Sequence, residues 1–350
     1  MLFSIVIPVH NGEKYIDECL SSVLSQEDTF YGPAKDLLEV IIVENGSSDN
    51  TPQIADEYAK KYPFIKALHR GKIGLFAARQ EGFLEAAGDW VLSLDADDKL
   101  EKNAIKELAI RVNQTISGWD EVDLVIFRAR RNGGNGKGGV IPACDFEDNK
   151  VYLGPEKEAF YRQFCMDDSL NSMWTKCIKR SIAAMDHDIF LNNGEDLYQT
   201  TKYLERARGI AFVDRALYLY SVGNPSMTST YNKSFLDNQK VVWAAMDEFL
   251  DKRGNDTFKD WVSARKSLTC AIFVAGIIYS GIGLGKKKEA LTALMQDEFY
   301  KEYANRDLPD WAPEQSVFVH ALMTGKSPRA RLLRNAFKFD IKTFIKRALR

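Results

Sequence analysis

The first hundred residues alternate between short apolar segments and amphipathic helical segments. Four segments have the continuous apolar character of strands buried in a parallel sheet, namely residues 2–9, 39–43, 65–68 and 90–94. Helical periodicity fills the intervals between them, over residues 13–26, 52–61 and 75–87. This β-α-β-α-β-α-β order predicts an α/β fold with a central, mostly parallel sheet.

Three of these predicted strands run directly into polar clusters. The clusters are His10-Asn11-Gly12, Glu44-Asn45-Gly46 and Asp95-Ala96-Asp97-Asp98. Ligands of parallel α/β sheets bind outside the carboxyl ends of the strands, so we expect a site formed by these clusters. Three carboxylates at one strand end repel one another unless a cation lies among them. Mg²⁺ or Mn²⁺ suits such oxygen ligands, although an isolated Asp-x-Asp is more often a solvated acidic turn.

The character of the chain changes after residue 224. Up to that point, further strands are predicted at 122–127, 210–213 and 216–220, and further helices after residue 98, at 155–166 and after residue 196. Beyond it, three helical patterns cover residues 235–250, 257–280 and 286–303. We therefore predict an α/β domain at 1–225, a helical domain at 226–325 and a basic tail helix at 326–350. The glycine-rich residues 132–139 lack Gly-Lys-Ser/Thr, which favours a hairpin tip over a phosphate-binding loop.

Composition narrows the protein class. The 350 residues are 45% hydrophobic and 27% charged, as in soluble globular proteins, and the net charge of -2 argues against a nucleic-acid-binding protein. Five cysteines without C-x-x-C spacing indicate reduced thiols in a cytoplasmic protein, and the N-terminus lacks a signal-peptide pattern. Residues 267–285 carry no charge and approach a membrane span in length. Their four glycines favour a buried helix instead.

The order of short motifs resembles the family 2 glycosyltransferases, the large inverting group with the GT-A fold, and especially bacterial capsular and exopolysaccharide enzymes. The motifs lie at residues 4–11, 40–49, 77–82, 88–89, 94–98, 174–176, 195–196, 220 and 226–228. Two positions depart from the family pattern. Glu44-Asn45 replaces a common pair of aspartates near the nucleotide base, where Asn45 still offers a donor and an acceptor to a uracil edge. Gln80 follows Arg79 where asparagine is usual.

The resemblance implies transfer of a sugar from a nucleotide-diphosphate donor, expected to be a UDP-sugar, to a glycan or lipid-linked saccharide of the cell surface. It implies donor contacts from Pro8, Val9, Asn11, Glu13, Glu44, Asn45, Arg79, Asp95, Ala96 and Asp97. Asp97 is the first choice as ligand of a divalent Mn²⁺ or Mg²⁺ ion, with Asp98 second. Asp196, beside Glu195, is implied as the general base, with helix capping as its structural alternative. Trp174 and Lys176 are implied on the acceptor side.

Two other function classes stay open. A sugar nucleotidyltransferase also uses clustered aspartates and Mg²⁺, but it normally has a basic, glycine-rich loop near the N-terminus, which residues 8–13 do not provide. A catalytically inactive nucleotide-sugar-binding or scaffold protein would not need both Asp97 and Asp196, and both are present.

The C-terminal segment predicts a basic amphipathic helix. Apolar residues recur at helical spacing, at Leu333, Phe337, Ile341, Phe344, Ile345 and Ala348. Basic residues recur on another face, at Arg331, Arg334, Lys338, Lys342 and Lys346. Such a helix binds the surface of an anionic membrane, which predicts a peripheral protein on the inner face of the cytoplasmic membrane. A helix docked on the domain is the alternative. The class is also compatible with a homodimer.

Overall fold

The computed structural model describes residues 2–113, 119–132, 139–184, 189, 191–222, 232–254 and 256–348. The chain divides into two compact units. The first comprises Met1–Phe164 and Asp168–Asn224, and the second comprises Cys165–Asp167 and Pro225–Arg350. The predicted domain boundary at residue 225 falls beside this division. The motif at 226–228 and most of the glycine-rich segment at 132–139 lie outside the described residues.

The first unit is built on one sheet, to which the described residues contribute ten strands. These are β1 (Phe3–Val9), β2 (Leu38–Asn45), β3 (Ile65–Arg70), β4 (Trp90–Ser93), β5 (Lys99–Leu100), β6 (Val122–Asn132), β7 (Val140–Ile141), β8 (Val151–Leu153), β9 (Lys176–Lys179) and β10 (Gly209–Ser221). The order is β3-β2-β1-β4-β9-β6-β10-β5, with β7 beside β6 and β8 beside β10. Strands β3, β2, β1 and β4 are parallel, whereas β9 is antiparallel to both of its neighbours. The predicted α/β fold is confirmed, and the sheet is mixed.

Seven helices of this unit connect the strands in the described residues. They are α1 (Ile16–Leu24), α2 (Thr51–Lys61), α3 (Leu75–Glu85), α4 (Ala104–Val112), α5 (Glu158–Met166), α6 (Arg180–Ala183) and α7 (Glu195–Arg206). Helix α3 packs tightly on the sheet because Gly82 has no side chain. A Cβ there would lie 2.2 Å from Val6 Cγ1 and 3.1 Å from Val43 Cγ2. This close approach carries Arg79 beneath the ends of the central strands.

Two local predictions for this unit differ from the structure, and one strand of the central sheet was not predicted. The helix expected directly after residue 98 begins only at Ala104, because β5 first pairs with β10. The two strands expected at 210–213 and 216–220 form the single strand β10, whose register shifts between Val213 and Ala216. Strand β9 was not predicted, since its sequence Lys-Cys-Ile-Lys has no strand-like alternation.

The second unit is helical throughout its described residues. Its helices are α8 (Phe235–Asp251), α9 (Lys259–Tyr279), α10 (Leu284–Leu294), α11 (Glu298–Tyr303), α12 (Glu314–Thr324) and α13 (Pro328–Ala348). The single helix expected at 286–303 is interrupted because Asp297 caps α11, accepting hydrogen bonds from the Phe299 and Tyr300 amides. Helix α12 was not predicted. The core forms around α9, whose Cys270, Val274 and Ile277 are fully buried.

One apolar helix of this unit is long enough to be compared with a membrane span. Among the described residues, one stretch, Asp256–Tyr279, is long and apolar enough to cross a membrane by length and composition. Within its most apolar window, 67% is buried inside the protein, as in the core helix of a helical domain.

The predicted tail helix forms α13, but its apolar residues divide between two environments. Leu332 and Ala336 are fully buried in the helical core. The buried Lys287 Nζ donates to Asp340 Oδ1 at 2.6 Å, which fixes α13 to α10. Phe337 and Ile341, by contrast, are 51% and 44% exposed. The helix is therefore docked on its unit while it presents further apolar groups to solvent.

Candidate active site

The ends of β1, β2 and β4 lie side by side, as the strand order requires. Val9 pairs with Glu44 across β1 and β2, and β4 flanks β1 on its other edge. Gly12 packs closely between Val9 and the acidic cluster. A Cβ at this position would lie 2.4 Å from Val9 Cγ2 and 3.8 Å from Ala96 Cβ. Pro8 and Val9 themselves are buried in β1. The three polar clusters predicted from the sequence thus adjoin one another.

The loops that follow β1 and β2 are hydrogen-bonded to each other. Asn11 adopts a left-handed conformation with φ of 54°, and its N–H donates to Ser47 Oγ at 2.9 Å. Asn11 Oδ1 accepts from the Ser48 amide at 2.8 Å. Glu13 Oε2 accepts from both the backbone and the side-chain nitrogen of Asn50, each at 3.0 Å. Asn11 and Glu13, expected to contact the donor, therefore also hold the two loops together.

Glu44 and Asn45 also accept hydrogen bonds from backbone amides of the neighbouring loops. Both are buried, and Glu44 Oε1 accepts from the Ser47 amide at 2.5 Å. Asn45 Oδ1 accepts from the amides of Ile73 at 2.7 Å and Gly74 at 3.3 Å, just before α3. Asn45 Oδ1 thus already accepts two backbone hydrogen bonds, and a contact between Asn45 and the nucleotide base stays a prediction.

Arg79 lies at the centre of the site and is only 1% exposed. Its Nε donates to Ser93 Oγ at 3.0 Å. Its Nη1 donates to Asp196 Oδ1 at 2.8 Å and to Gln199 Oε1 at 2.9 Å. Its Nη2 lies 3.7 Å from Asp95 Oδ1. Burial by itself would lower the pKa of Arg79, but Asp196 and Asp95 outweigh it and raise the pKa above its ordinary value.

The acidic cluster after β4 contains carboxylates in different environments. Burial raises the pKa of Asp95 to about 6 although Arg79 opposes the rise, and Asp95 Oδ1 has no hydrogen-bond partner among the described residues. Asp97 is partly exposed. Asp98 is buried and accepts from Tyr218 Oη at 2.7 Å and from the Ser221 amide at 2.6 Å, and burial raises its pKa to about 7. Asp98, expected as a second metal ligand, is only 2% exposed, and its two oxygens accept hydrogen bonds from β10.

The cluster can supply only part of a metal site. Among the residues described, no group of three or more His, Cys, Asp or Glu side chains is arranged to hold a metal ion. Asp95 Oδ1, which lacks a hydrogen-bond partner, and the nearby Asp97 offer carboxylate oxygens on one turn. Mg²⁺ and Mn²⁺ commonly bind to one or two carboxylates together with substrate phosphates and water. The residues present fit an ion that is shared with a diphosphate, not one enclosed by protein alone.

Asp196 lies at the start of α7 and reaches the same place from another element. Its Oδ2 accepts from the Met173 amide at 3.3 Å, and its side chain is 30% exposed. Gly194, with φ of 75°, turns the chain into this helix, so that Glu195 and Asp196 occupy its first turn. Burial and the neighbouring Asp196 charge raise the pKa of Glu195.

The two residues expected on the acceptor side are largely enclosed. Trp174 is 8% exposed and its ring stacks on Tyr218 and Tyr220, with centroids 4.9 and 5.4 Å away. Lys176 is fully buried, and its Nζ donates to backbone carbonyls of the preceding turn. The ammonium group of Lys176 does not reach solvent, and an acceptor-side role for these two residues stays a prediction.

The structure adds site residues that were not predicted from the sequence. Ser93 and Gln199 bind Arg79, and the Tyr218 hydroxyl accepts from the Asp95 amide at 3.2 Å while it donates to Asp98. Gln199 could have been found, because it lies three residues after Asp196 on the same helix face. Tyr218 carries no local signal, since its partners are more than a hundred residues away.

Comparison with known proteins agrees with this geometry. Residues 4–138 match the family model described as Glycosyl transferase family 2. The chain is similar to the putative glycosyltransferase EpsH of Bacillus subtilis, with 28% identity over 71% of this chain and 69% of EpsH. It is also similar to the poly(ribitol-phosphate) beta-N-acetylglucosaminyltransferase TarS of Staphylococcus aureus, with 27% identity over 75% of this chain and 43% of TarS.

The fold has a counterpart among solved structures. S. aureus TarS 1-349, crystallised in complex with UDP-GlcNAc, superposes with a TM-score of 0.60 and 22% identity over 99% of this chain and 92% of that one. This likeness shows the fold, a GT-A domain followed by a helical region, in agreement with the prediction. Together with the order of motifs at the strand ends, these comparisons lead to one conclusion. Residues 4–138 match the family 2 glycosyltransferase model, and the chain is similar to bacterial glycosyltransferases in sequence and to TarS in fold.

Proposed function

We propose that the protein transfers a sugar from a UDP-sugar donor to a cell-surface glycan or its lipid-linked precursor, with inversion at the anomeric carbon. The observation that carries the proposal is the position of Arg79, which binds Asp196 at 2.8 Å and lies 3.7 Å from Asp95. It brings a carboxylate at the donor-side strand end and a carboxylate from α7 to one place. The UDP donor is supported by TarS, whose structures contain UDP and UDP-GlcNAc.

In the proposed mechanism, Asp196 is the general base. The acceptor hydroxyl passes its proton to an Asp196 carboxylate oxygen while its own oxygen attacks the anomeric carbon. The bond from that carbon to the diphosphate breaks on the opposite face, so the configuration inverts. Arg79 and the Met173 amide hold the two carboxylate oxygens of Asp196, which fixes the orientation of the base before the acceptor arrives.

The donor side is proposed to hold a divalent ion through Asp97, with Asp95 beside it. Such an ion, when bound, neutralises the charge that develops on the departing diphosphate. Asp97 is the partly exposed carboxylate of this turn, whereas Asp95 Oδ1 faces Arg79 Nη2 at 3.7 Å. Asp98 is not part of the proposal, since it is only 2% exposed.

We also propose that the protein is cytoplasmic and binds the inner membrane surface through α13. Arg334, Phe337, Lys338, Ile341 and Lys342 are exposed and recur at intervals of three and four residues, so they share one helix face. Basic and apolar side chains on one face suit an anionic lipid surface. Docking there would place the enzyme in the same plane as a lipid-linked acceptor.

A panel of UDP-sugars tests the activity, with UDP release as the readout and a lipid-extract acceptor added in parallel. We expect release from one donor, with UDP-GlcNAc tested first, and less than a hundredth of that rate with Asp196→Asn. Pyrophosphate formation from UTP and a sugar 1-phosphate would instead identify a nucleotidyltransferase. Donor binding without any release, with every acceptor tried, would identify a binding or scaffold protein.

A further inference from the structure

Lys176 is an unusual residue for the start of a strand, because its ammonium group is completely buried. Its Nζ donates to Leu170 O and Ser172 O, each at 2.6 Å, and to Asn171 O at 3.4 Å. All three N–H donors are therefore used on three successive carbonyls of one turn. Each interaction of this kind is charge-assisted and stronger than a neutral hydrogen bond.

The turn that Lys176 holds is also the turn that holds α7. The Met173 amide donates to Asp196 Oδ2 at 3.3 Å. In the same turn, Asn171 O accepts from Thr200 Oγ1 at 2.9 Å. Asp196 and Thr200 are four residues apart and lie on the same face of α7. The turn thus contacts this face at two points, one of them the proposed base.

We propose that Lys176 is a positioning residue that acts through Asp196, by fixing the turn at residues 170–173 against the first turns of α7. The proposal rests on the role of Asp196 given under the proposed function. Lys176 does not touch substrate, since it has no exposed surface. Its three donors fix the direction of the carbonyls. The Ser172 carbonyl and the Met173 N–H belong to one planar peptide unit, so the direction of the first determines the direction of the second.

The charge of Lys176 is part of this arrangement. Burial lowers the pKa of Lys176 to about 7, while the nearby Asp196 favours its charged form and Arg79 disfavours it. A neutral amine has only two N–H donors for the three carbonyls. Replacement by an apolar side chain would take the Lys176 donor from Leu170 O, while Asn171 O would keep Thr200 Oγ1 and Ser172 O would keep Thr175 Oγ1. The turn would lose its three charge-assisted hydrogen bonds and would be held less firmly in its present shape.

The experiment compares Lys176→Met, Asp196→Asn and the double variant, with Lys179→Met as the matched control from the same strand. Lys179 is partly exposed and interacts with Asp123, away from the turn. We expect Lys176→Met to lower kcat at least about tenfold while the donor KM stays within about twofold, because misplacing a catalytic group costs rate more than binding. Lys179→Met is expected to change neither by more than about twofold.

The double variant distinguishes a positioning role from a general structural one. If Lys176 acts through Asp196, adding Lys176→Met to Asp196→Asn lowers the remaining rate by less than about twofold. Losses that multiply would overturn the proposal, as would a proportional rise in the donor KM. If Asp196→Asn alone leaves transfer intact, the proposed base fails instead, so the two failures are distinguishable.

A second variant keeps the test informative if Lys176→Met does not fold. Thr200→Val is nearly isosteric and removes only the hydroxyl that binds Asn171 O. We expect the same pattern, a lower kcat with unchanged donor KM and no further loss in the Asp196→Asn background. A Thr200→Val enzyme with wild-type kcat would show that the contact between the turn and α7 does not position the base.

Discussion

Arg79 Nη1 and Asp196 Oδ1 lie 2.8 Å apart although 117 residues separate them in the chain. The arginine comes from α3, beneath the donor-side strands, and the aspartate from the first turn of α7. Because Arg79 is buried and Asp196 is 30% exposed, the pair has one side in the core and one side open to a ligand. The proposed base is thereby fixed to the part of the sheet that carries the acidic cluster.

The metal role of Asp97 predicts ion-dependent donor binding. Calorimetry should show UDP binding more tightly with Mn²⁺ than in EDTA, because Asp97 would hold an ion that offsets the charge of the diphosphate. Asp97→Asn should reduce this difference at least about tenfold. Asp98→Asn is the matched control and should keep the ion dependence, since its carboxylate binds Tyr218 and Ser221. Equal UDP affinity with and without the ion would remove the metal from the mechanism.

The base assignment predicts a separation of binding from transfer. Asp196→Asn keeps nearly the same shape but cannot accept a proton, so kcat should fall about a hundredfold while UDP-sugar affinity stays within about threefold. Single-turnover transfer and donor calorimetry on the same preparation measure the two quantities. A variant that still transfers sugar within about threefold of the wild-type rate would contradict the assignment.

Arg79 also predicts a stability effect. Arg79→Met leaves the Asp95 and Asp196 carboxylates without their cation, and we expect the free energy of unfolding in urea to fall by about 3 kcal/mol. The control is Arg70→Met, which breaks the half-exposed pair with Glu81 and should cost less than about 1 kcal/mol. Similar losses for the two variants would show that the central ion pair has no special structural role.

The exposed face of α13 predicts salt-sensitive membrane binding. Truncation is a poor test, because it would also remove Leu332 and Ala336 from the core. Reversing Arg334, Lys338 and Lys342 to glutamate leaves the core intact and should weaken co-sedimentation with phosphatidylglycerol vesicles at least about a hundredfold, at roughly 1 kcal/mol for each basic residue. The control carries the same charge change at the exposed Lys35, Lys60 and Lys61. If both variants sediment equally, α13 is not the membrane contact.

His69 predicts a small pH dependence of stability. Asp56, at 2.8 Å, and Glu44 raise its pKa above the ordinary value of 6.5. Because the folded pKa is the higher one, the stabilisation is complete below 6.5 and is lost as the pH rises through the folded value. Both partners of the short contact are largely exposed, so the effect should stay below about 1 kcal/mol. Urea unfolding of His69→Gln, which should lose this component of the pH dependence, measures it.

Some parts of this molecule were readable from local patterns and others were not. Strands β1 to β4 were predicted because continuous apolar segments of the buried sheet end in polar loops. Strand β9 was missed because Lys176 and Lys179 make it look exposed, and only the carbonyls of a folded turn explain a buried lysine there. The break at Asp297 was missed because a capping aspartate inside a helical pattern resembles a surface residue.

The candidate site, too, was predicted only in part. The three polar clusters were found because each directly follows a strand, and parallel strands end at one edge. Their internal hydrogen bonds were not found, since Asn45 binds the start of α3 and Asp98 binds β10, both distant in the chain. A side chain chosen for its chemistry can be engaged by the protein itself, and residue type alone does not distinguish the two uses.

The mutual hydrogen bonds between the loops after β1 and β2 restrict how donor choice can change in this lineage or in the laboratory. A substitution at Asn11 or Glu13 alters the partner loop as well, since the Ser48 amide and Asn50 lose the side-chain oxygens that accept from them. If these loops bind the donor as proposed, we expect a change of donor selectivity to require that residues 11–13 and 47–50 are exchanged together.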